Sequence, residues 1–420
     1  MKNQLDFKRT KIACYLNNLS MSAVGTMSPI LFVTFRELYD ISYTLLGTLV
    51  LINFCTQLLI DLVFSFFSNR FNIKKTVRLM PVITAVGMII YAVMPAVFPE
   101  SAYLWLSFGT VLFSVSAGLN EVLTSPIIGA IPSDDPDRVM SKLHSVYAWG
   151  VVGFVIISTL FLKLFKTSNW SFLVIFWSLV PFLTAFLFLK APIPEIEKGF
   201  VLNNGEKVKH CFETGLFVAC IFFGGAAECT MTQWISSFIE NALHIPKIFG
   251  DVFGVAFFAS LLGLGRTLYS KIGKNISSVM LFCMGGAFIC YLVAALSPNP
   301  ISALIACSLT GLCTSMLWPG SIIWMGERVP KAGVTAFALL AAGGDLGASI
   351  SPQLVGIICD VVEKSEFALN LSTKVNLSTE QIAMKSAILF SSLFALTGFI
   401  LVLFMKSYFK KRALKNSIAV

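Results

Sequence analysis

Twelve long apolar runs dominate the sequence and limit what it can fold into. Each run is long enough for a helix that crosses a bilayer, which needs roughly 20 mostly apolar residues. Hydrophobic residues make up 56% of the chain and charged residues 13%. Because lipid offers no hydrogen bonds, each run must satisfy its own backbone, as a helix does. We therefore predict an all-α membrane protein. Its twelve predicted transmembrane helices lie at approximately 12–36, 43–68, 77–98, 102–131, 139–165, 170–190, 213–240, 248–270, 276–297, 300–326, 333–360 and 383–407.

The two halves of the sequence repeat a short pattern. A Gly-Leu pair followed seven residues after the Leu by a proline begins at Gly118 in one run and at Gly311 in another, 193 residues later. The same offset relates Gly150, in the next run, to Gly343. Repeated halves in a membrane chain are typical of transporters that bind their substrate near the middle of the bilayer. The repeat therefore predicts two pseudo-symmetric lobes of six helices.

One segment reads as a linker between these lobes. Residues 191–210 are rich in Pro, Gly, Asn and alternating charge, and six apolar runs lie on each side. The predicted domains are a lobe at 1–190, a cytoplasmic linker at 191–210, and a lobe at 211–420 with a short basic tail. A second polar stretch, 361–382, is predicted to be an external loop with a short surface helix.

The net charge of +9 is explained by membrane orientation rather than by nucleic acid. With both termini cytoplasmic, 23 Lys and Arg residues fall on inner segments and seven on outer segments. Such a bias marks the cytoplasmic side. We expect a monomer that spans a bacterial cytoplasmic membrane several times, with both termini inside.

Several classes of protein are disfavoured by what the sequence lacks. No phosphate-binding loop is present, so transport is expected to run on ion gradients. The ten cysteines show no metal-ligating or redox spacing, and only three histidines occur, widely separated. We expect no metal, no cofactor and no enzymatic activity. A non-transporting sensor, which would normally add a soluble domain or a long tail for output, is not expected, since this sequence ends in a short basic segment.

The loop after the second run resembles a motif of the major facilitator superfamily. That family has a G-x-x-x-D-R-x-G-R-K loop there, and residues 65–74 match it loosely, with Asn69-Arg70 in place of Asp-Arg. A weaker echo follows the eighth run at Gly273 and Lys274. Together with twelve runs and the repeat, the resemblance covers nearly the whole chain. It implies the major facilitator fold and transport by alternating access.

The fourth run resembles the fucose permease branch of that superfamily, whose members are sugar and proton symporters. The branch has a glutamate five residues before a proline in a Gly-Leu-rich helix, and here Glu121 precedes Pro126 by five. In its first helix the branch has an Asn-Asp step close to a proline. This sequence has Asn17-Asn18 further upstream, and Gly25 stands where the aspartate would fall.

Glu121 is the first candidate site residue. A charge at the centre of a membrane helix costs roughly 2.5 to 3.5 kcal/mol on insertion scales, so it needs a cavity, a partner or a proton. We predict that Glu121 and the adjacent Asn120 bind substrate. Glu121 is also expected to carry a proton, because a carboxylate that leaves water favours its protonated form. The alternative is a protonated glutamate bonded to a neighbouring helix.

The second half supplies Glu228, Gln233 and Trp318. Amides and rings together are typical of sugar sites, since hydroxyls need hydrogen-bonding partners and apolar sugar faces stack on aromatic rings. Gln233 and Trp318 are therefore predicted to bind substrate, although Trp318 could equally serve packing. Glu228 is a second candidate for proton coupling, or only a polar member of the pocket.

In the second run Asn53, Gln57 and Asp61 form one polar stripe at successive i, i+4 steps. Asn53 and Gln57 are predicted to bind substrate, and Asp61 is assigned with Arg70 to a cytoplasmic gate. Hydrogen bonding between helices is an equally good reading of the stripe.

The fifth run places Tyr147 and His144 on one helix face. Tyr147 is a predicted substrate contact, and His144 is a candidate proton carrier, because histidine titrates near neutral pH. The favoured alternative is a His144 that only bonds neighbouring carbonyl groups. Arg266 is predicted to form an ion pair that gates the pathway or clamps substrate. The sequence favours Asp345 as its partner without deciding which acid it meets.

These residues favour proton-coupled uptake of a small polyhydroxylated solute, such as a monosaccharide. The alternative is a proton-driven efflux antiporter for amphiphilic compounds, which the 38 Phe and 14 Met residues favour. The expected partners are a small-molecule substrate, protons and the lipid bilayer.

Overall fold

Helices account for nearly all of the described chain, as expected for apolar runs that must bond their own backbone. Within the described residues eleven segments are long and apolar enough to cross a membrane, and the apolar helix Trp149–Phe165 is shorter. No β-strand occurs in that part of the chain, and the prediction of an all-α membrane protein is confirmed. The computed structural model describes residues 7–67, 70–132, 136–195, 211–272, 275–329 and 334–418.

The chain divides into two units. Unit 1 comprises Met1–Ile41 and Ile52–Leu202, and unit 2 comprises Ser42–Leu51 and Asn203–Val420. The second helix, α2, thus begins in unit 2 and continues in unit 1. The predicted linker lies mostly outside the described residues, so the predicted domain boundaries stay a prediction. The helices of the first half are α1 (Lys8–Tyr39), α2 (Tyr43–Phe67), α3 (Ile73–Val97), α4 (Ala102–Ala130), α5 (Pro136–Phe165) and α6 (Trp170–Lys190).

The second half is less regular than the first. A π-helical segment, Phe238–Ala242, follows α7, and another, Gly250–Ala256, joins α8 to α9. The short helix α14 lies in the loop where a surface helix was predicted, and that prediction is confirmed. The helices are α7 (Cys211–Ser237), α8 (Lys247–Phe249), α9 (Phe257–Ile272), α10 (Ile276–Leu296), α11 (Pro300–Thr314), α12 (Leu317–Arg328), α13 (Val334–Glu363), α14 (Glu366–Val375) and α15 (Thr379–Ile418).

The first repeated glycine brings two helices together in each half. A Cβ atom added to Gly118 of α4 would lie 3.0 Å from the carbonyl oxygen of Gln57 in α2. A Cβ atom added to Gly311 of α11 would overlap the carbonyl oxygen of Phe258 in α9. Small residues at such crossings let helix backbones approach closely in membranes. The repeat therefore marks the same helix crossing in both halves.

The second repeated glycine marks another crossing. A Cβ atom on Gly150 of α5 would lie 2.9 Å from the Cδ1 atom of Leu19 in α1. A Cβ atom on Gly343 of α13 would lie 3.0 Å from the carbonyl oxygen of Val218 in α7. Each half therefore packs its fifth helix on its first through a glycine.

The tenth predicted span, 300–326, is not one continuous helix. It is broken between α11 and α12 at Ser315 and Met316. Pro319 contributes to the break, because its nitrogen carries no hydrogen and cannot donate to the carbonyl four residues earlier. That carbonyl belongs to Ser315. The break therefore leaves a polar atom in the middle of a membrane span that needs another donor.

An ion pair lies where α8 meets the π-helical segments. The ammonium group of Lys247 lies 3.5 Å from a carboxylate oxygen of Asp251 and 3.8 Å from one of Glu240. It also donates to the hydroxyl of Ser236 over 3.1 Å. Asp251 is completely buried, so Lys247 supplies the positive charge that this carboxylate needs inside the protein.

Candidate functional site

A network of amides joins α1, α4 and α5 inside unit 1. The Asn17 amide donates to the side-chain oxygen of Asn120 over 2.6 Å, and the Asn120 amide donates to Asn18 over 3.0 Å. Asn18 in turn donates to the carbonyl oxygen of Leu143 over 3.1 Å. The hydroxyl of Thr124 also donates to Asn120. The side chain of Asn120 is thus already engaged between helices, and its contact with substrate stays a prediction.

The predicted polar stripe of α2 also bonds within unit 1. The Asn53 side-chain oxygen accepts from the Ser114 hydroxyl of α4 over 2.6 Å and from the Gln57 amide over 3.1 Å. Asn53 is buried, and Gln57 and Asp61 are half-buried. At Asn53 the stripe therefore forms a hydrogen bond between helices, as the alternative interpretation predicted. Its role in substrate binding is not tested by these contacts.

Glu121 differs from Asn120 in its contacts with the described part of the chain. Within the described residues no hydrogen bond or ion pair joins its carboxylate to another group. The residue is exposed, yet it shares a helix face with the buried Ser114 and Ala117. The exposed apolar residues of α4, such as Phe108, lie about a third of a turn away from it at 3.6 residues per turn. Glu121 is therefore exposed on a face other than the one that α4 turns toward lipid.

Tyr147 of α5 lies beside the position where the resembled branch has an aspartate. A Cβ atom added to Gly25 of α1 would lie 3.5 Å from the Tyr147 hydroxyl oxygen. Tyr147 is 43% exposed. The helix of His144 is described, but its side chain lies outside the described residues. Tyr147 thus places a hydroxyl near the gap that Gly25 leaves, whereas the proton-coupling prediction for His144 cannot be placed.

The acid that pairs with Arg266 is Glu228, whereas the sequence favoured Asp345. The Arg266 Nη2 atom lies 3.3 Å from Glu228 Oε1. The Arg266 Nε atom donates over 3.1 Å to the carbonyl oxygen of Ser315, the one released by Pro319. The expectation was wrong because helical spacing in one span cannot show which residue of another span it meets. Asp345 lies near Cys229, the neighbour of Glu228, and interacts with it electrostatically.

Trp318 fills a space provided by two glycines. Its ring lies 3.3 Å from a Cβ atom added to Gly225 of α7 and would overlap one added to Gly344 of α13. The packing alternative for Trp318 therefore has direct support, and stacking on substrate stays a prediction. Gln233 is 5% exposed and has no hydrogen bond to another described residue. Its contact with substrate stays a prediction.

Of the predicted cytoplasmic gate and its loop motif, the structure describes Arg70 but not every neighbouring residue. The Arg70 guanidinium lies over the ring of Phe67, 5.2 Å from its centroid, and the residue is exposed. Asn69, its partner in the family motif, lies outside the described residues, as do Gly273 and Lys274. Among the described residues no group of three or more His, Cys, Asp or Glu side chains could hold a metal ion.

Sequence comparison identifies the family. The family model described as Major Facilitator Superfamily matches residues 14–352. The chain belongs to the major facilitator superfamily. It is therefore a multi-pass membrane transporter and not an enzyme. Among curated proteins, none matches the sequence.

Several solved transporter structures share this fold over nearly the whole length of the chain. A D-xylose-proton symporter has a TM-score of 0.70 at 13% identity, over 92% of this chain and 96% of that one. A bacterial homologue of the human lysosomal transporter Spinster has a TM-score of 0.72 at 12% identity, over 96% and 97%. The fucose:proton symporter of E. coli has a TM-score of 0.59 at 12% identity, over 95% and 98%. These similarities show the fold.

Two features of the site were absent from the predicted set. Asn17 and Asn18 belong to the amide network, and the Ser315 carbonyl oxygen anchors Arg266. Both left a signal in the sequence. A pair of amides in the middle of an apolar run needs hydrogen-bonding partners, and a proline within a span frees the carbonyl four residues before it.

Proposed function

We propose that this transporter carries out proton-coupled uptake of a small polyhydroxylated solute, such as a monosaccharide, by alternating access. The observation that carries the proposal is the carboxylate of Glu121, which has no hydrogen bond or ion pair to another described residue and lies on a face of α4 other than the one with exposed apolar residues. A carboxylate in a membrane span needs a cavity, a partner or a proton. Since no protein group supplies a partner among the described residues, a proton and the solute hydroxyls would do so.

Further support comes from the polar groups of both units. The buried Gln233 amide has no hydrogen bond to another described residue, and the Tyr147 hydroxyl lies near Gly25, where a carboxylate of the sugar symporters is missing. The fold is shared with symporters for D-xylose and for fucose. We place the protein in a bacterial cytoplasmic membrane with both termini inside, and we assign proton coupling first to Glu121, because Glu228 is paired with Arg266.

The efflux alternative has less support. It rested on the abundance of Phe and Met, yet many phenylalanines lie on outer helix faces. In α6, Phe172, Phe176 and Phe186 are 64%, 49% and 58% exposed and form one stripe along the helix. Such a stripe is typical of a surface that contacts lipid. The Phe content therefore gives no reason to assign an amphiphilic substrate.

The test is uptake by proteoliposomes, with and without an inward proton gradient, of labelled monosaccharides that include neutral and acidic members. Wild-type protein is compared with Glu121→Gln and with the matched control Glu366→Gln, an exposed residue of α14. Glu121→Gln is expected to lose gradient-driven accumulation and to keep exchange of labelled for unlabelled solute, which needs no net proton movement. The control should behave as wild type.

Two results would contradict the proposal. Gradient-driven accumulation that Glu121→Gln leaves intact would remove Glu121 as the proton carrier. A wild-type protein that accumulates no member of the panel, but releases protons when an amphiphilic cation is added, would be an efflux antiporter.

A further inference from the structure

Arg266 is turned away from the lipid face of its helix. The exposed apolar residues Phe257, Leu264 and Leu268 lie on one side of α9, and Arg266 lies on the opposite side. Its side chain is nevertheless 45% exposed. A Cβ atom added to Gly263, one turn earlier, would meet no atom within 4 Å. The guanidinium group therefore borders an open space on the side of α9 that faces away from lipid.

The guanidinium group is held in place without using all of its donors. Nε donates to the Ser315 carbonyl oxygen and Nη2 to Glu228. Nη1 has no partner among the described residues. Glu228 and Ser315 lie near the middle of their membrane spans, Phe212–Ala242 and Pro300–Arg328. A positive group with free N–H donors thus lies near mid-membrane depth, oriented by the break to which Pro319 contributes.

Glu228 is weakly held by comparison. Its Oε1 atom has the 3.3 Å contact with Arg266, while its Oε2 atom is buried and has no hydrogen-bond partner among the described residues. A buried pair is stable only when the remaining oxygen atoms are also satisfied. The adjacent Cys229 thiol interacts with Glu228, with Asp345 of α13 and with Tyr291 of α10. None of these three groups offers Glu228 a positive charge, so Arg266 is its compensating cation.

We propose that the carboxylate of an acidic solute replaces Glu228 at Arg266, so that the transported solute is a sugar acid or a similar polyhydroxylated carboxylic acid. This rests on the proposed function. Arginine binds carboxylates through parallel N–H bonds, which suits the end of the guanidinium that carries Nη1. The replaced Glu228 then lacks a cation in a desolvated place and takes up one proton from the aqueous phase.

The exchange keeps the charge of the site constant. Before binding, Arg266 is balanced by ionised Glu228, and after binding it is balanced by the solute carboxylate while Glu228 is neutral. One proton therefore enters the site with each carboxylate. Moving a lone negative charge inward against the membrane potential would cost about 2.3 kcal/mol per 100 mV, and the accompanying proton cancels that cost.

The experiment measures binding and proton uptake by the purified full-length protein in detergent. Galacturonate and galactose, which differ at one carbon, are titrated calorimetrically in buffers of different ionisation enthalpy, and proteoliposome uptake of both is measured alongside. Wild-type protein is expected to bind galacturonate with uptake of about one proton more than Glu228→Gln, and to bind galactose more weakly. Arg266→Gln should weaken galacturonate binding about 10- to 100-fold, the range expected for a lost charge-assisted contact.

Glu228→Gln separates the proposed exchange from a purely structural role, because only the exchange predicts a change in the number of protons taken up on binding. It removes the competing carboxylate, so galacturonate should bind at least as tightly as in wild type, with about one proton fewer taken up on binding. This variant also decides the matter if Arg266→Gln fails to fold, and gel filtration and circular dichroism monitor folding in both.

Three results would overturn the inference. Galactose taken up in preference to galacturonate would refute the acidic solute and leave the proposed function standing. Unchanged proton uptake in Glu228→Gln would refute the exchange. Failure of both solutes and of the whole monosaccharide panel would remove the proposed function and this inference together.

Discussion

The glycine crossings of unit 2 predict opposite effects for two similar substitutions. Gly311→Ala places a methyl group against the Phe258 carbonyl oxygen, where α11 and α9 touch, whereas Gly263→Ala on α9 places one in open space. Both exchange glycine for alanine inside a helix, which favours the helix by about 1 kcal/mol in each variant. That contribution cancels in the comparison. The difference that remains is the cost of overpacking at Gly311, about 1–3 kcal/mol.

The free energy of unfolding is measured by titrating the purified protein in mild detergent micelles with sodium dodecyl sulfate, followed by tryptophan fluorescence. Gly311→Ala should unfold at lower denaturant than Gly263→Ala by an amount equivalent to about 1–3 kcal/mol. Gly118→Ala, the equivalent change in unit 1, should resemble Gly311→Ala. Equal midpoints for Gly311→Ala and Gly263→Ala would refute the reasoning, because the crossing would then have room for a methyl group.

Two further predictions concern stability in the same titration. Lys247→Met removes the cation beside the buried Asp251 and should lower the free energy of unfolding by about 3–5 kcal/mol. Adding Asp251→Asn should restore most of this loss. Strictly additive losses in the double variant would mean that the two groups do not interact. Asp360 accepts from the backbone N–H groups of Tyr43 and Thr44 over 3.1 and 2.7 Å, as a cap of α2 would. Asp360→Ala should therefore lower the free energy of unfolding by about 0.5–2 kcal/mol, and Asp360→Asn should lower it less. Equal losses in the two variants would contradict a capping role.

The repeat was readable in the sequence, but its meaning for packing was not. Identical spacing of Gly118 and Gly311 indicated related halves, and the structure shows that each glycine meets the second helix of its own half. The freed carbonyl of Ser315 follows from Pro319 by local chemistry, but the break does not, because Pro126 at the equivalent position leaves α4 continuous. The π-helical segments beside α8 could not be predicted either, because no residue type is specific to them.

The candidate site shows the same division. Side-chain type and helical spacing selected Glu121, Glu228 and Arg266 correctly as charges that membrane spans must accommodate. The structure then separated them, since Glu228 pairs with Arg266 and Glu121 has no partner in the described part of the chain. Asp345, the expected partner of Arg266, lies near Cys229 in the same unit. The ion pair of Arg266 is with Glu228.

The sequence by itself determined the membrane helices and the family, because hydrophobic length is a local property that sets whether a helix can cross lipid. Only the tertiary structure decided which polar groups meet. Asn17 and Asn120 are 103 residues apart and bond to each other, while Glu121, next in the chain, points elsewhere. Helical periodicity assigns each side chain to a face, but the neighbour on that face is set by how the helices cross, which depends on the close packing of many residues at once.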